Sequence, residues 1–418
     1  MLLFQLNYGI MFKSVNNDLK RNRKIYSLRK RCDMSVFFIR DVEQNEEQIA
    51  NLTMAELFEI NIHKMRKSFF KYFPNTTKRI NKVNRNFSLE ALENNTVFLS
   101  APSSFDDPYD CNLFIDANVF ALQRIRYYAE LCGVDVNPEW NYEEVSMQLA
   151  EKIYTHSVSG KPLDEFYKHR QDCEMIRLHH EAFFLRVQLE LSSPETNGES
   201  YSVAFNKAIK AEYDKIQNTA NRFRVACFAE TPYSMLMWSH YANYHQGFCI
   251  EYETPDYSSD NAEIYHNLFP VIYTDKRTNL TSLSLNWRSN GKLSNEELWD
   301  FYKYGLLSKS LDWKYQQEWR LISCDNLITD DTYNCHFFKI KKVYLGNRMS
   351  AKDRKKIIKI CKSKGIPYVG VIISPDKFEM KDCNILCENC QMIISRSGKH
   401  ESAVRETSIR GKENANPR

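Results

Sequence analysis

The apolar positions of this chain follow two periods, one typical of strands and one typical of helices. Short runs rich in Val, Ile, Phe and Tyr predict strands at 69–73, 97–99, 223–228, 248–252, 268–273, 318–323, 337–345 and 368–373. Apolar residues spaced three and four apart predict helices at 41–64, 119–132, 142–156, 163–191, 201–217, 294–310 and 351–363. This mixture predicts an α+β protein with a mixed or largely antiparallel sheet and flanking helices.

The order of these elements indicates how the chain is organised. Helices follow one another without a strand between the early strands and the strand at 223–228, which predicts a helical insertion at 116–220. Residues 1–40 are basic and irregular, and we interpret them as an N-terminal extension. Residues 396–418 contain almost no apolar residues, which predicts a disordered tail. We therefore expect a single α+β domain at 41–395.

The stretch 222–253 combines a strand, a short helix and a second strand with many Trp, His, Tyr and Cys residues. Thr231 is a favourable N-cap, and Pro232 suits the first helical position because its missing N–H has no partner there. The pattern predicts a helix from Pro232 to about Tyr244. Gly247 suits the left-handed conformation that often ends a helix.

Three separated motifs resemble those of a widespread bacterial family of unknown function. Residues 237–242 read Met-Trp-Ser-His-Tyr-Ala, and residues 247–251 read Gly-Phe-Cys-Ile-Glu. Residues 105–110 and 313–320 are similar to the family's Phe-Asn-Asp-Pro-Phe-Asp and Trp-x-Tyr-Glu-x-Glu-Trp-Arg segments. The resemblance covers roughly residues 66–375 and implies a role in phage defence, since some relatives are linked to abortive phage resistance. Asp106 and Gln316 depart from the family's Asn and Glu.

The candidate catalytic residues come from well-separated elements. They are His240 and Tyr241 in the central helix and Glu318 on a late strand, with Tyr72 on the first strand and Trp238 as candidate binding residues. A neutral His can donate and accept a proton, and a carboxylate can stabilise a developing cation. The alternative is that Trp238, His240 and Tyr241 only pack between the helix and the sheet.

Four charged residues are further candidates for substrate binding. Asp107 and Asp110 form an acidic turn that suits a cation or a ribose hydroxyl, or else cap nearby backbone N–H groups. Lys309 and Arg320 lie on either side of Glu318 in the sequence. Arg320 forms either a structural ion pair with Glu318 or a phosphate clamp beside it.

Two classes of function follow from these residues. ADP-ribosyltransferase folds use a polar residue on the first core strand, a central hydroxyl or aromatic residue and a late carboxylate. The order Tyr72, His240–Tyr241 and Glu318 is similar, and it implies an enzyme that uses NAD. The alternative is a non-catalytic sensor or protein-interaction module of a defence system.

Charge and cysteine usage narrow the remaining classes. Residues 13–31 hold eight Lys or Arg and one Asp, so of the net charge of +4 this segment supplies +7 and the remainder about −3. Specific nucleic-acid binding by the globular core is therefore not expected. No apolar run is long enough for a membrane span, and scattered cysteines indicate a reduced, cytoplasmic protein. Cys383, Cys387 and Cys390, with Cys361 or His400, lack standard zinc spacing, so we expect no metal site.

Overall fold

A computed structural model describes residues 65–159, 174–192, 201–258, 260–290, 293–323 and 333–383. The predicted extension at 1–40, the helix at 41–64 and the tail at 396–418 lie outside these residues, as does the first part of the helix predicted at 163–191.

The described strands are, in chain order, β1 (Ser68–Phe73), β2 (Lys78–Ile80), β3 (Val83–Arg85), β4 (Thr96–Phe98), β5 (Arg224–Phe228), β6 (Phe248–Glu253), β7 (Leu268–Pro270), β8 (Ile272–Thr274), β9 (Ser308–Ser310), β10 (Trp319–Ser323), β11 (Asn334–His336), β12 (Lys339–Leu345), β13 (Tyr368–Ile373) and β14 (Met380–Asp382). The described α-helices are α1 (Phe87–Asn94), α2 (Ala117–Leu131), α3 (Tyr142–Val158), α4 (Glu174–Ser192), α5 (Tyr201–Gln217), α6 (Met235–Tyr241), α7 (Ala262–Asn267), α8 (Thr281–Asn290), α9 (Asn295–Tyr302) and α10 (Ala351–Lys364). The predicted α+β class is confirmed. None of these helices is long and apolar enough to cross a membrane.

The chain divides into two compact units. Of the described residues, the first unit comprises those within 101–224 and 272–311, and the second comprises those within 65–100, 225–271 and 312–383. The predicted helical insertion at 116–220 falls within the first unit. The assignment of 41–395 to a single domain stays a prediction.

In the second unit, a five-stranded sheet has the order β1-β6-β12-β13-β14. Its pairs are antiparallel except β12–β13, which are parallel and connected through α10. One face of this sheet contributes Phe69 and Ile250 to a core shared with the three-stranded sheet β5-β10-β7, which contributes Phe228 and Leu321. The opposite face packs against α6.

In the first unit, helices α2, α3, α4 and α5 pack together, and β8 pairs with β9 in parallel. A buried ion pair joins two of these helices, with Arg124 Nε 3.0 Å from Glu212 Oε2. The Arg124 guanidinium also donates to the Tyr128 hydroxyl at 2.8 Å. These partners compensate the buried charge of Arg124, which would be costly if it were left unpaired.

The helix predicted at 294–310 ends earlier than its apolar spacing suggests. Ser294 caps α9 through a capping box with Glu297. Helix α9 ends at Tyr302. The chain then forms a π-helical turn over Lys303–Leu307, and strand β9 follows. A Cβ on Gly305 would lie 2.7 Å from Leu113 Cδ2, so a side chain at this position would displace the end of the Leu113 side chain.

Two glycines in the second unit allow the backbone to pack without a side chain between segments. A Cβ on Gly247 would lie 1.9 Å from the Phe73 carbonyl oxygen, and a Cβ on Gly346 would lie 2.1 Å from the His245 carbonyl oxygen. Gly346 N–H donates to the Gly247 carbonyl at 3.0 Å. The segment before β6 and the segment after β12 are therefore held directly against each other.

We predict that Gly247→Ala lowers the free energy of unfolding by about 3 kcal/mol or more, because a backbone oxygen cannot rotate away from the new methyl group. Urea unfolding measures this loss. Gly365→Ala is the control, since Gly365 has a positive φ of +65° but no atom within 4 Å of its Cβ position. It should cost about 1 kcal/mol. Equal losses in the two variants would contradict the packing argument.

Candidate functional site

The central helix α6 begins three residues later than the sequence pattern suggests. Ser234, not Thr231, is its N-cap, and the Ser234 hydroxyl accepts from Met237 N–H. The Thr231 hydroxyl instead accepts from Tyr233 N–H at 3.2 Å. The Pro232 carbonyl accepts the Trp238 indole N–H at 2.7 Å, which fixes Pro232 outside the helix.

The end of α6 also differs from the prediction. The helix stops at Tyr241. Asn243, Tyr244 and His245 then have positive φ values of 47°, 52° and 70°, so these three residues, and not Gly247, adopt the left-handed conformation. The requirement for glycine at 247 comes from its contact with Phe73.

Trp238 and Tyr72 pack together in the interior of the second unit. Trp238 is fully buried, and its ring lies 5.3 Å from the Tyr72 ring in an edge-to-face arrangement. The Tyr72 hydroxyl donates to the Thr231 carbonyl at 2.8 Å. Both polar tips are therefore used within the protein, which favours a packing role for this pair.

The two candidate catalytic residues of α6 have different surroundings. His240 is exposed, and its ring lies 6.2 Å from the Tyr241 ring and 6.4 Å from the Tyr315 ring. Tyr241 is partly buried, and its hydroxyl accepts a hydrogen bond from the Gln316 side chain at 2.8 Å. Gln316 is thus in direct contact with a candidate catalytic residue.

Glu318 is buried and forms an ion pair. Its exposed fraction is 3%, and its Oε1 lies 2.7 Å from Arg320 Nε, which is itself fully buried. Burial lowers the pKa of Lys71, and the Glu318 charge acts in the opposite direction. The Lys71 ammonium lies over the Phe228 ring, in the core between the two sheets.

This arrangement separates Glu318 from the Tyr72 side of the sheet. Lys71 and Tyr72 are neighbours on β1, so their side chains point to opposite faces. Tyr72 faces α6, whereas Glu318 acts on Lys71 in the core between the two sheets. The structure brings Tyr72, Trp238 and Tyr241 together around α6. The catalytic roles of His240, Tyr241 and Glu318 stay predictions.

A buried carboxylate at the end of the Gly-Phe-Cys-Ile-Glu motif was missed by the sequence analysis. Glu251 on β6 accepts from Ser68 Oγ and Tyr344 Oη, both at 2.8 Å, and its Oε1 lies 2.8 Å from Lys341 Nζ. Lys341 is the extra residue of a β-bulge in β12. The bulge directs Lys341 to this carboxylate, a contact that strand periodicity does not predict.

The groups that donate hydrogen bonds to Glu251 stabilise its ionised form. Burial alone would raise the pKa of Glu251, but hydrogen bonds from Lys341, Ser68 and Tyr344 hold it below the ordinary value of 4.5. Burial and the hydrogen bond to Glu251 raise the pKa of Tyr344. Glu251 therefore links β1, β6 and β12 as a carboxylate. The motif itself was the available sequence signal for this residue.

In the first unit, the acidic turn contacts Lys309. Asp110 Oδ2 lies 3.1 Å from Lys309 Nζ, and both side chains are buried. The Asp107 carboxylate accepts from Tyr109 N–H at 2.9 Å, the contact that the turn interpretation expects. Lys309 thus pairs with a residue that lies far away in the sequence.

Asp107, Tyr109 and Lys309 line a pocket of about 200 Å³ in the first unit. Its walls come from the turn at 107–114, the loop at 274–278 and the segments at 304–305 and 308–310. The Arg277 guanidinium lies 5.4 Å from the Tyr109 ring and 5.5 Å from the Phe114 ring. The pocket therefore combines aromatic rings, a cation at its rim and, in its wall, Lys309, which pairs with Asp110.

The cysteines considered for zinc are described only in part. Cys361 and Cys383 are buried, and Cys387, Cys390 and His400 lie outside the described residues. Within the described ranges, no group of three His, Cys, Asp or Glu side chains is arranged to hold a metal ion.

We predict that Glu251→Gln lowers the free energy of unfolding by about 1.5–3 kcal/mol at neutral pH, the range for hydrogen bonds to a charged group. Because the folded-state pKa of Glu251 is lowered, its contribution is complete above about pH 4.5 and is lost as pH falls through the folded-state value. Urea unfolding of both proteins from pH 7 to pH 3 should show the difference shrinking. Glu253→Gln, exposed on the same strand, is the control. A difference that stays constant over this range would contradict the assignment.

One comparison with known proteins gives a match. Residues 237–321 match the family model DUF2971, described as a protein of unknown function. The match begins in α6 and ends in β10, so it includes Trp238, His240, Lys309, Glu318 and Arg320. No curated protein and no solved structure matches the chain. This part of the chain is therefore similar to an uncharacterised domain family.

Proposed function

We propose that this chain is a sensor that binds a mononucleotide in the pocket of the first unit. The observation that carries the proposal is the meeting of Tyr109, Phe114 and Arg277 at the rim of a pocket that also contains Lys309. Aromatic rings offer a face for a nucleobase, and cations attract a phosphate.

The size of the pocket supports one nucleotide over a dinucleotide. Pockets for drug-sized ligands measure roughly 300–1,000 Å³. A pocket of about 200 Å³ is smaller than this range. A pocket of this size cannot enclose NAD, which contains two nucleotides, and it would hold part of a single nucleotide with the rest in solvent.

The chemistry of the lining supports specific roles for its residues. Tyr109 is 64% exposed and offers its ring to a base. Lys276 and Arg277 are exposed beside it and suit a phosphate. Asp107 keeps a second carboxylate oxygen beyond the one that accepts from Tyr109 N–H, and this oxygen suits a ribose hydroxyl.

The motif in this pocket also connects the proposal to phage defence. Asp107, Tyr109 and Asp110 belong to the segment that resembles the bacterial family. Relatives of that family linked to abortive phage resistance suggest that the proposed sensor reports a nucleotide during infection.

We predict that purified protein binds at least one nucleoside monophosphate saturably in isothermal titration calorimetry. Tyr109→Ala should raise the dissociation constant about 10- to 100-fold, because base stacking contributes about 1–3 kcal/mol. Tyr154→Ala is the matched control, since Tyr154 is 63% exposed on α3 and lies outside the pocket lining. Wild-type protein that binds none of AMP, GMP, CMP and UMP would refute the sensor, as would an equal loss in the Tyr154 variant.

The second candidate is an ADP-ribosyltransferase-like enzyme that consumes NAD. The observation in its favour is the cluster of Tyr72, Trp238 and Tyr241, with Gln316 bonded to Tyr241 two residues before Glu318. Catalysis by this cluster would require the Glu318 carboxylate to contact the ligand. Glu318 is only 3% exposed and is paired with Arg320, which opposes such a contact. This requirement is the reason why we favour the sensor.

Glu318→Gln distinguishes the two candidates. If Glu318 is the catalytic acid, NAD consumption is lost while the melting temperature stays nearly unchanged, because the amide keeps the shape and the hydrogen-bonding capacity. If Glu318 is structural, the variant melts earlier, because the buried Arg320 loses its counter-charge. We expect the second result. Melting curves and NAD turnover of wild type and variant, with candidate protein acceptors, measure both properties.

A further inference from the structure

Two elements of the second unit, each adjoining α1, expose many cations. The hairpin β2–β3 is exposed along both strands and contains Lys78, Arg79, Lys82 and Arg85 without an acidic residue. Helix α1 follows the hairpin directly and packs against α10. The outward side of α10 carries exposed lysines at positions 352, 355, 356, 359 and 362.

The hairpin has a charge arrangement that is unfavourable by itself. Asn81 and Lys82 both have positive φ, as two-residue hairpin loops require. Lys78 lies directly opposite Arg85, and like charges at opposed positions destabilise a strand pair. Glu90 neutralises Arg85. The charges of Lys78, Arg79 and Lys82 therefore face solvent, where an anionic partner would relieve their repulsion.

The lysines of α10 form a row. Positions 352, 355, 359 and 362 follow each other at three or four residues, which gives steps of about 5 Å along the helix axis. The opposite side of α10 is buried through Ile357 and Cys361. Because its apolar side already faces the core, this helix has no apolar face to insert into a membrane. A row of cations without apolar neighbours suits a chain of phosphates.

We propose that the β2–β3 hairpin and the lysine row of α10 form a binding surface for double-stranded DNA. The DNA major groove admits a two-stranded ribbon, whereas the major groove of an RNA duplex is too narrow for side chains to read. Arg79 lies opposite Asn84, and these residue types hydrogen-bond guanine and adenine edges. The hairpin strands hold no aromatic residue, whereas binding of a single strand uses aromatic stacking.

The net charge of the chain does not predict this DNA-binding surface. Without residues 13–31 the chain sums to about −3, which argues against DNA binding by the core as a whole. The local distribution of charge differs from this sum. The proposal is also independent of the nucleotide pocket, which lies in the first unit.

Fluorescence anisotropy of the full chain with a short labelled DNA duplex tests the surface. Two double variants reverse charges on the surface. One carries Lys78→Glu and Lys82→Glu, the other Lys355→Glu and Lys359→Glu, and each should weaken DNA binding at least about tenfold. Each pair should also reduce the slope of log K against log salt by about two, the value expected when two phosphate contacts are lost. The matched control is Lys152→Glu with Lys210→Glu, two exposed lysines of the first unit. It makes the same change in net charge and should leave binding nearly unchanged.

Several outcomes would overturn the proposal. An equal loss in the control would assign binding to net charge, and unchanged binding in both test variants would assign it to another segment such as 13–31. Equal affinity for a single strand, an RNA duplex, polyglutamate or vesicles of anionic lipid would show that the surface does not select duplex DNA. Melting temperatures equal to that of wild type establish that the variants are folded.

Discussion

The second unit depends on how closely its backbone segments approach one another at Gly247 and Gly346. No side chain fits at either position, because each Cβ would lie about 2 Å from a carbonyl oxygen. This contact allows the left-handed residues Asn243–His245 to reverse the chain and lead directly into β6. The reversal keeps α6 on the outer face of the five-stranded sheet, where Trp238 fills the space against Tyr72. The motif that carries the family resemblance is therefore, in large part, the set of residues that this turn and its packing require.

Alternation along β1 determines the surroundings of the remaining charged residues. Tyr72 faces α6, and Lys71 faces the core between the two sheets. A charge in that core needs a partner, because burial without one costs several kcal/mol. Glu318 and Arg320 alternate with Trp319 and Leu321, which face that core, and the two charged residues are buried on the other side, where they pair with each other. The Glu-Trp-Arg segment thus supplies a buried ion pair with the buried Trp319 between its members. This structural role alone accounts for the choice of these three residue types.

Local patterns predicted the elements better than the contacts between them. The helix at 201–217 and the strand at 368–373 have the predicted bounds, because each has a clear period and clear ends. The predicted start of α6 was wrong because Thr231 and Ser234 are both favourable N-caps. The hydrogen bond from the Trp238 indole to the Pro232 carbonyl keeps Pro232 outside the helix, so Ser234 is the N-cap. The contacts of Lys309 with Asp110 and of Lys341 with Glu251 join residues far apart in the chain. The spacing of apolar residues does not predict such long-range contacts. A β-bulge also changes the face to which a side chain points, and composition gives no sign of it.

The two buried ion pairs that include residues selected from the sequence differ in their access to a ligand. Glu318 and Arg320 are 3% and 0% exposed, so a substrate would reach them only after the residues around them had moved. Lys309 lies in the wall of a pocket, so a phosphate can compete with Asp110 for its ammonium without unfolding the unit. Such a competition converts ligand binding into a change in an internal contact, which is what a sensor needs and what a transferase does not. Asp107 and Lys309 are charges selected from the sequence that line this pocket, and this is the physical reason to seek the proposed ligand in the first unit.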